Sequence, residues 1–156
     1  MPQSGPMDSQ AFKAANLLVG NNPEIESLEL VTLPGVGCKF TFHVPCVVAV
    51  TGKVVTIKVN RQPVPMWARL VVPAKGTLEV GRGASNGFRV YLAVRGGFPE
   101  VPPYLGSKST SMGLGGYQAS PCFISFVLNQ AESSSVIGKG TETRRSDRAG
   151  QLCAKF

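Results

Sequence analysis

A turn near the N-terminus holds the first group of residues with chemical potential, Ser4-Gly5-Pro6-Met7-Asp8. A glycine-proline turn placed before a helix directs backbone N–H groups toward an approaching ligand, which is usually an anion. Asp8 has two interpretations. Its oxygens can cap the first turn of a helix, or its carboxylate can orient an amide substrate or take part in proton transfer.

Two further stretches combine a cation with glycine. Arg95-Gly96-Gly97 follows an apolar run, and its arginine is either an anion ligand or a partner in a surface salt bridge. Gly106-Ser107-Lys108-Ser109-Thr110 joins one lysine to three hydroxyls, which can hold a carboxylate or an oxyanion. This second stretch lacks the glycine spacing of a P-loop. It either binds a ligand or orders the structure around it.

The residues for several other chemistries are missing or isolated. His43, the one histidine, has no acidic or thiol partner at a spacing that would orient its ring. The four cysteines form no C-x-x-C pair, so we expect reduced thiols and no metal site; they are Cys38, Cys46, Cys122 and Cys153.

One amphipathic helix is predicted in the first twenty or so residues. Phe12, Ala15, Leu18 and Val19 fall on one face at helical spacing, and Ser4 or Asp8 can cap the start. Gly20-Asn21 is a typical helix stop. This helix would follow directly from the N-terminal turn and would therefore position it.

About seven short strands are predicted between the helix and residue 94, separated by turns rich in glycine and proline. One of these turns covers residues 60–63, and the strand after it is expected to start at Met66. Cys46-Val47-Val48-Ala49-Val50 is continuously apolar, which predicts a strand buried on both faces that ends at Thr51-Gly52. The spacing of the strands favours a β-barrel or sandwich with the helix packed against it.

Composition narrows the class of protein. The 156 residues are enough for one domain with a core, and the net charge of +7 is spread along the chain. Dispersed lysines are typical of a solvated face, and the aromatic residues form no stripe with basic ones, which argues against nucleic-acid binding. No apolar run is long enough to cross a membrane, and we expect a cytoplasmic protein. The polar composition from about Ala131 onward predicts disorder.

Several motifs occur in an order that resembles one family. They are Ser4-Gly5-Pro6-Met7-Asp8, Ala15-Asn16-Leu17-Leu18-Val19-Gly20-Asn21, Val48-Ala49-Val50-Thr51-Gly52, Pro63-Val64-Pro65-Met66-Trp67, Tyr91-Leu92-Ala93-Val94-Arg95-Gly96-Gly97 and Tyr104-Leu105-Gly106-Ser107-Lys108-Ser109-Thr110. Together they resemble the carboxyltransferase domain of urea carboxylase, which is found in fungal urea amidolyase. They are similar also to bacterial allophanate hydrolase subunit 2 and to the C subunit of 5-oxoprolinase. The resemblance covers residues 1 to about 118.

The resemblance implies a mainly β fold, a cyclophilin-like β-barrel with one N-terminal helix. It also implies the biotin-dependent transfer of a carboxyl group from carboxybiotin to urea, giving allophanate. Such a site must stabilise an oxyanion and position an amide, and the backbone N–H groups of glycine loops, such as Arg95-Gly96-Gly97, together with fixed cations are suited to this. The positions that match the family, without individual roles, are Ser4, Gly5, Asp8, Asn16, Thr51, Gly52, Arg95, Gly96, Gly97, Ser107, Lys108, Ser109 and Thr110.

The resemblance implies cofactors and partners outside this chain. Biotin would be carried on another domain, and ATP and bicarbonate would be used by another domain, since the sequence has no Met-Lys-Met biotin-attachment signal and no ATP-grasp glycine loop. The expected partners are a biotin carboxylase domain, a biotin carrier domain and the second half of the carboxyltransferase domain, with urea as substrate. No nucleic acid and no membrane are expected.

The sequence departs from the family pattern at both ends. The family has a further strand before the Ser4–Asp8 turn, and its usual Gly-Arg and Gly-Asp continuation does not follow Gln118. We therefore expect a carboxyltransferase domain truncated at both ends over 1–118, a divergent, disordered tail over 119–156, and an isolated fragment that is inactive. The alternatives are a non-catalytic barrel that binds a protein partner, a component like the C subunit of 5-oxoprolinase and, more weakly, a nucleic-acid-binding protein.

Overall fold

The structure, a computed structural model, describes residues 5–31, 37–81, 87–101 and 108, and the backbone of 127–128. These residues contain one helix and nine strands. The elements are α1 (Ser9–Val19), β1 (Leu28–Val31), β2 (Cys38–Phe42), β3 (Cys46–Gly52), β4 (Ile57–Val59), β5 (Gln62–Val64), β6 (Leu70–Val72), β7 (Thr77–Val80), β8 (Arg89–Val94) and β9 (Val127–Leu128).

The ends of α1 follow from local chemistry. Asp8 is the N-cap, and its Oδ1 accepts a 3.0 Å hydrogen bond from the N–H of Ala11, one of the first-turn donors without a helical partner. Gly20 ends the helix with a φ of 82°, a left-handed conformation that costs glycine little. The helix, its cap at Asp8 and its stop at Gly20 are confirmed.

The strands form two sheets. In the first sheet the order is β1-β8-β3-β6, with every pair antiparallel. In the second sheet the order is β5-β4-β7-β2-β9, antiparallel except for the parallel pair of β2 and β9. The predicted mainly β fold with one N-terminal helix is confirmed.

The two central strands of the first sheet, β3 and β8, are covered on both of their faces. Alternate residues of β8, such as Leu92, belong to the core shared with the second sheet, and the residues between them face α1. Ala49 and Ala93 are paired across β3 and β8, and their small side chains let Ala15 of the helix pack closely against the sheet. The prediction that β3 is a strand buried on both faces is therefore confirmed.

Several strand boundaries differ from the sequence-based expectation. Residues 60–63 were expected to form only a turn, but the turn is complete at Asn60 and Arg61, whose φ values are 50° and 69°. Two left-handed residues match the twist of a tight hairpin, so β5 pairs with β4 immediately afterward. A strand expected to start at Met66 begins only at Leu70, because the φ of 56° at Trp67 is incompatible with an extended strand.

Other sequence expectations concern membrane spans, metal ligands, cysteines and the C-terminal tail. In the part of the chain that the structure describes, no helix is long and apolar enough to span a membrane, and no three His, Cys, Asp or Glu side chains are grouped as metal ligands. Cys38 and Cys46 are reduced thiols, and burial raises the pKa of Cys46. His43 is exposed. Cys122, Cys153 and the tail expected to be disordered from Ala131 lie outside the described residues.

Candidate functional site

The described candidate residues lie at the two ends of α1 and beneath it. Gly5 and Asp8 precede the helix, whereas Gly96 and Gly97 contact the segment that follows it. An 11-residue helix is about 16 Å long, so a ligand the size of urea cannot contact both ends. Ser4, Ser107, Ser109 and Thr110 lie outside the described residues. The candidates thus divide into an N-terminal cluster and a C-terminal cluster.

The N-terminal cluster consists of Met7, Asp8, Glu29, Arg89 and Tyr91. At its centre is the carboxylate of Glu29, which is only 3% exposed although it lies on β1. Its Oε2 accepts hydrogen bonds of 2.9 Å from the N–H of Met7 and from the hydroxyl of Tyr91. Its Oε1 accepts a 2.9 Å bond from Nε of Arg89, which also supplies the opposite charge. These donors stabilise the buried charge of Glu29.

Tyr91 connects this carboxylate to the start of the helix. Its hydroxyl accepts a 2.7 Å hydrogen bond from the N–H of Asp8 while donating to Glu29. Burial, with a further contribution from the neighbouring carboxylates, raises the pKa of Tyr91 well above its usual value. The hydroxyl therefore stays protonated over the physiological range, and its single proton is committed to Glu29.

The backbone N–H groups of the N-terminal turn do not all face a ligand. We expected the turn to offer these groups to an anion, but Met7 and Asp8 donate theirs inward, to Glu29 and Tyr91. Asp8 is exposed, and in the part of the chain that the structure describes a Cβ on Gly5 would meet no atom within 4 Å, so the described residues leave open space beside the turn. An exposed carboxylate beside open space suits a ligand that donates N–H groups better than it suits an anion.

Thr51 and Gly52 lie beneath α1, at the end of β3. Thr51 is fully buried, and its hydroxyl donates a 2.7 Å hydrogen bond to the carbonyl of Ala11 in α1. Gly52 has a φ of 93°, and a Cβ there would lie 2.6 Å from the carbonyl oxygen of Arg89. Both residues therefore hold β3 close to the helix and to β8, and the Thr51 hydroxyl is already paired.

The C-terminal cluster consists of Asn16, Asn21, Glu26, the 96–98 turn and Lys108. Asn16 is fully buried, and its Nδ2 donates a 2.6 Å hydrogen bond to the carbonyl of Ile25. Its Oδ1 accepts bonds from the side chains of Asn21 and Ser27, at 3.0 and 3.2 Å. Asn16 therefore connects the helix to the segment that leads into β1.

The glycine turn after β8 is held by contacts to the residues that follow α1. Asn21 donates to the carbonyl of Val94 and accepts from the N–H of Gly96, each at 2.9 Å. Gly97 has a φ of 67° and donates its N–H to the same Val94 carbonyl at 2.9 Å. A Cβ on Gly97 would collide with Cγ2 of Ile25. Glycine is required here for both space and conformation.

Glu26 joins Lys108 to this turn. Its Oε1 accepts from the Nζ of Lys108 at 2.6 Å and from the N–H of Phe98 at 2.9 Å. Burial pushes the pKa of Glu26 upward, but the hydrogen bonds from Lys108 and the backbone outweigh it, so the pKa is lowered. Lys108 also donates to the carbonyl of Phe98 at 3.3 Å. The structure thus brings together two of the predicted stretches, around Gly97 and Lys108.

The sequence-based interpretation missed Glu29, Tyr91, Arg89, Asn21 and Glu26, the residues that organise both clusters. An acidic residue inside the apolar run of β1 was visible, and so was a tyrosine inside the apolar run of β8. Only the register, which pairs Glu29 directly with Tyr91, shows that the two side chains meet.

The fold and the polar network can be compared with known proteins. The family model of the carboxyltransferase domain, subdomain A and B, matches residues 1–150. The chain belongs to this carboxyltransferase family. The predicted boundary after Gln118 stays a prediction.

The individual relatives include a putative urea carboxylase, a urea amidolyase and a subunit of 5-oxoprolinase. The chain is 46% identical over 117 residues to a putative urea carboxylase from Emericella nidulans, covering 74% of this chain and 9% of that protein. It is 39% identical over 148 residues to urea amidolyase from Lachancea kluyveri, covering 91% of this chain and 8% of that protein. It is 36% identical over 116 residues to the C subunit of 5-oxoprolinase from Escherichia coli, covering 73% of this chain and 36% of that protein.

The likeness extends to solved structures. The crystal structure of K. lactis urea amidolyase matches with a TM-score of 0.66 and 39% identity, covering 76% of this chain and 7% of that chain. The crystal structure of K. lactis urea carboxylase matches with a TM-score of 0.66 and 38% identity, covering 76% of this chain and 10% of that chain. The chain is therefore similar to the carboxyltransferase domain of urea carboxylase and urea amidolyase. It spans less than a tenth of the length of the two fungal relatives.

Proposed function

We propose that this chain is part of a carboxyltransferase domain that transfers a carboxyl group from carboxybiotin to urea, giving allophanate. The observation that carries the proposal is the match of residues 1–150 to the carboxyltransferase family model. The likeness to urea carboxylase and urea amidolyase, in sequence and in fold, supports urea as the acceptor.

The proposal includes other domains. Since the chain corresponds to only 9% of the putative urea carboxylase it resembles, most of such an enzyme lies elsewhere. A biotin carrier domain would hold the biotin, a biotin carboxylase domain would use ATP and bicarbonate, and the second half of the carboxyltransferase domain would complete the site. A cytoplasmic location is part of the same proposal.

Asp8 is the residue that we assign to urea. Its backbone and Oδ1 are fixed by hydrogen bonds, so the carboxylate has a defined position at the exposed start of α1. Urea offers two NH₂ groups, and a carboxylate is a strong acceptor for N–H donors. Glu29 and Arg89 balance each other's charge beneath the turn, so the exposed negative charge of Asp8 favours a neutral amide over an anion.

The glycine turn does not fit the carboxylated ring of biotin as an oxyanion site. The N–H groups of Gly96, Gly97 and Phe98 already donate to Asn21, Val94 and Glu26. The charge of Lys108 is balanced by Glu26 at 2.6 Å. These residues shape the end of the domain beside α1, and no step of the transfer is assigned to them.

A graft tests the proposal. Residues 1–118 of this chain would replace the matching segment of K. lactis urea carboxylase, and ATP hydrolysis would be measured with and without urea. We expect urea-dependent hydrolysis in the graft. Hydrolysis that proceeds without any response to urea, in a graft that folds and still carboxylates its own biotin, would show that this segment does not accept urea.

One of the relatives indicates a second candidate ligand for the N-terminal turn. The 36% identity to the C subunit of E. coli 5-oxoprolinase makes 5-oxoproline, a cyclic amide, the alternative ligand of the same turn. Its ring N–H can donate to Asp8 as urea does, but its carboxylate would face the charge of Asp8. Measurements on the chain with each compound by isothermal titration calorimetry distinguish the two, and we expect urea to be preferred.

A further inference from the structure

We infer that Glu29 and Tyr91 are positioning residues for Asp8. Through them, the buried ion pair of Glu29 and Arg89 beneath the turn determines where the Asp8 carboxylate contacts its ligand. The inference rests on the proposed function for the identity of that ligand. The anchoring itself concerns residues of this chain alone and can be tested without any turnover.

The first step is the fixed geometry of Glu29. A carboxylate that is 3% exposed is costly unless its oxygens are paired, and both oxygens of Glu29 have donors. Arg89 holds Oε1 from β8, the strand that pairs with β1. Any rotation of the carboxylate would leave a buried charge without its partner, so the acceptor Oε2 stays in one place.

The second step is the direction of the hydrogen bonds through Tyr91. A hydroxyl has one proton, and the proton of Tyr91 goes to Glu29 at 2.9 Å. The oxygen is then an acceptor for the N–H of Asp8, at 2.7 Å. The ring itself is held edge-on against Phe12 of α1, with a centroid distance of 6.2 Å.

The third step is the effect on Asp8. Its N–H is bonded to Tyr91, its carbonyl accepts from the N–H of Phe12 at 3.1 Å, and its Oδ1 accepts from Ala11 at 3.0 Å. In the part of the chain that the structure describes, none of these contacts gives a protein donor to Oδ2 of Asp8. The three bonds therefore orient that second oxygen for the ligand, and only the bond to Tyr91 comes from outside the helix.

Hydrogen exchange at single amides tests the anchoring in the full 156-residue chain. Tyr91→Phe keeps the ring against Phe12 and removes the hydroxyl. We expect the N–H of Asp8 to exchange about tenfold faster, while the N–H of Met7, which bonds Glu29 directly, changes little. Glu29→Gln replaces a charged acceptor with a neutral one, and we expect faster exchange at both amides.

Thr51→Val is the matched control. It deletes another fully buried hydroxyl that bonds the same helix, but its acceptor is Ala11 and not the turn. We expect the exchange of Met7 and Asp8 to stay within twofold of the wild type. If Tyr91→Phe leaves the exchange of Asp8 unchanged, or if Thr51→Val accelerates it equally, Tyr91 does not position Asp8 and the inference is wrong.

The grafted enzyme tests the consequence for the reaction. With Tyr91→Phe we expect kcat/KM for urea to fall about tenfold, while carboxylation of biotin in the absence of urea keeps its rate. A general loss of both activities would indicate a structural defect and overturn the positioning role. If the wild-type graft shows no response to urea, the proposed function fails, and the exchange of Asp8 alone then decides whether the anchoring exists.

Discussion

The carboxylate of Glu26 lies 2.6 Å from the ammonium group of Lys108, a residue 82 positions further along the chain. Glu26 follows α1 and precedes β1, so this contact fastens residue 108 to the C-terminal end of the helix. The same carboxylate oxygen holds the N–H of Phe98. One side chain thus joins the segment after α1 to residues 72 and 82 positions further along the chain, and its charge state should affect the stability of the domain.

The first prediction concerns the pH dependence of that contact. Because the pKa of Glu26 is lowered below its usual value of 4.5, its ionised form stabilises the fold above that value, and this contribution is lost as the pH falls through the lowered pKa. We expect Glu26→Gln to lower the free energy of unfolding by about 1–2 kcal/mol at pH 7. The difference in the free energy of unfolding between this variant and the wild type should become smaller below pH 4. Guanidinium denaturation at several pH values measures it, and a difference that is constant with pH would contradict the assignment.

The second prediction concerns Asn16, whose side chain is buried and fully bonded. Asn16→Ala would remove the Asn16 partners of the Ile25 carbonyl and the Ser27 hydroxyl and one of the contacts of Asn21, so we expect the free energy of unfolding to fall by about 2–4 kcal/mol. Asn22→Ala is the control, since Asn22 is exposed and should cost under about 1 kcal/mol. Equal effects in chemical denaturation would mean that Asn16 has no special structural role.

The third prediction compares Gly97 and Gly5, two of the candidate residues that were predicted from the sequence. Gly97→Ala combines an unfavourable φ of 67° with a collision against Ile25, and we expect it to destabilise the fold by about 1–3 kcal/mol. A Cβ on Gly5 has open space, so Gly5→Ala should leave the melting temperature within about 2 °C of the wild type. Calorimetry on the two variants measures this contrast. Comparable melting temperatures would show that the turn after β8 adapts freely.

The fourth prediction separates the two roles of Asp8. Asparagine caps a helix about as well as aspartate, whereas alanine does not. We therefore expect Asp8→Asn to keep wild-type stability and Asp8→Ala to lose about 1 kcal/mol. In the grafted urea carboxylase, both should lower kcat/KM for urea by at least about tenfold, because both remove the charged acceptor. If Asp8→Asn retains full activity, Asp8 serves only as a cap.

The sequence predicted well what depends on neighbouring residues. The Asp8 cap, the Gly20 stop and the apolar face of α1 are set within a few positions, and the structure has all three. The continuous apolar run of β3 likewise predicted a strand covered on both faces, because no polar side chain in it needed solvent.

The organisation of the site depends on long-range register, which the sequence does not reveal. Glu29 on an alternating strand is compatible with a solvated position, and only pairing with Tyr91 and Arg89 makes its burial favourable. The glycine turn was expected to offer N–H donors, but the sequence could not show that the Asn21 side chain and the Val94 carbonyl accept them first.

The packing of α1 on β8 has a consequence for the order of synthesis. Asp8 and Tyr91 are 83 residues apart, so at 5–20 residues per second the ribosome makes Tyr91 roughly 4–17 s after Asp8. An isolated helix of 11 residues is only marginally stable in water. The N-terminal turn therefore acquires its geometry only after β8 has been synthesised and has emerged to receive the helix.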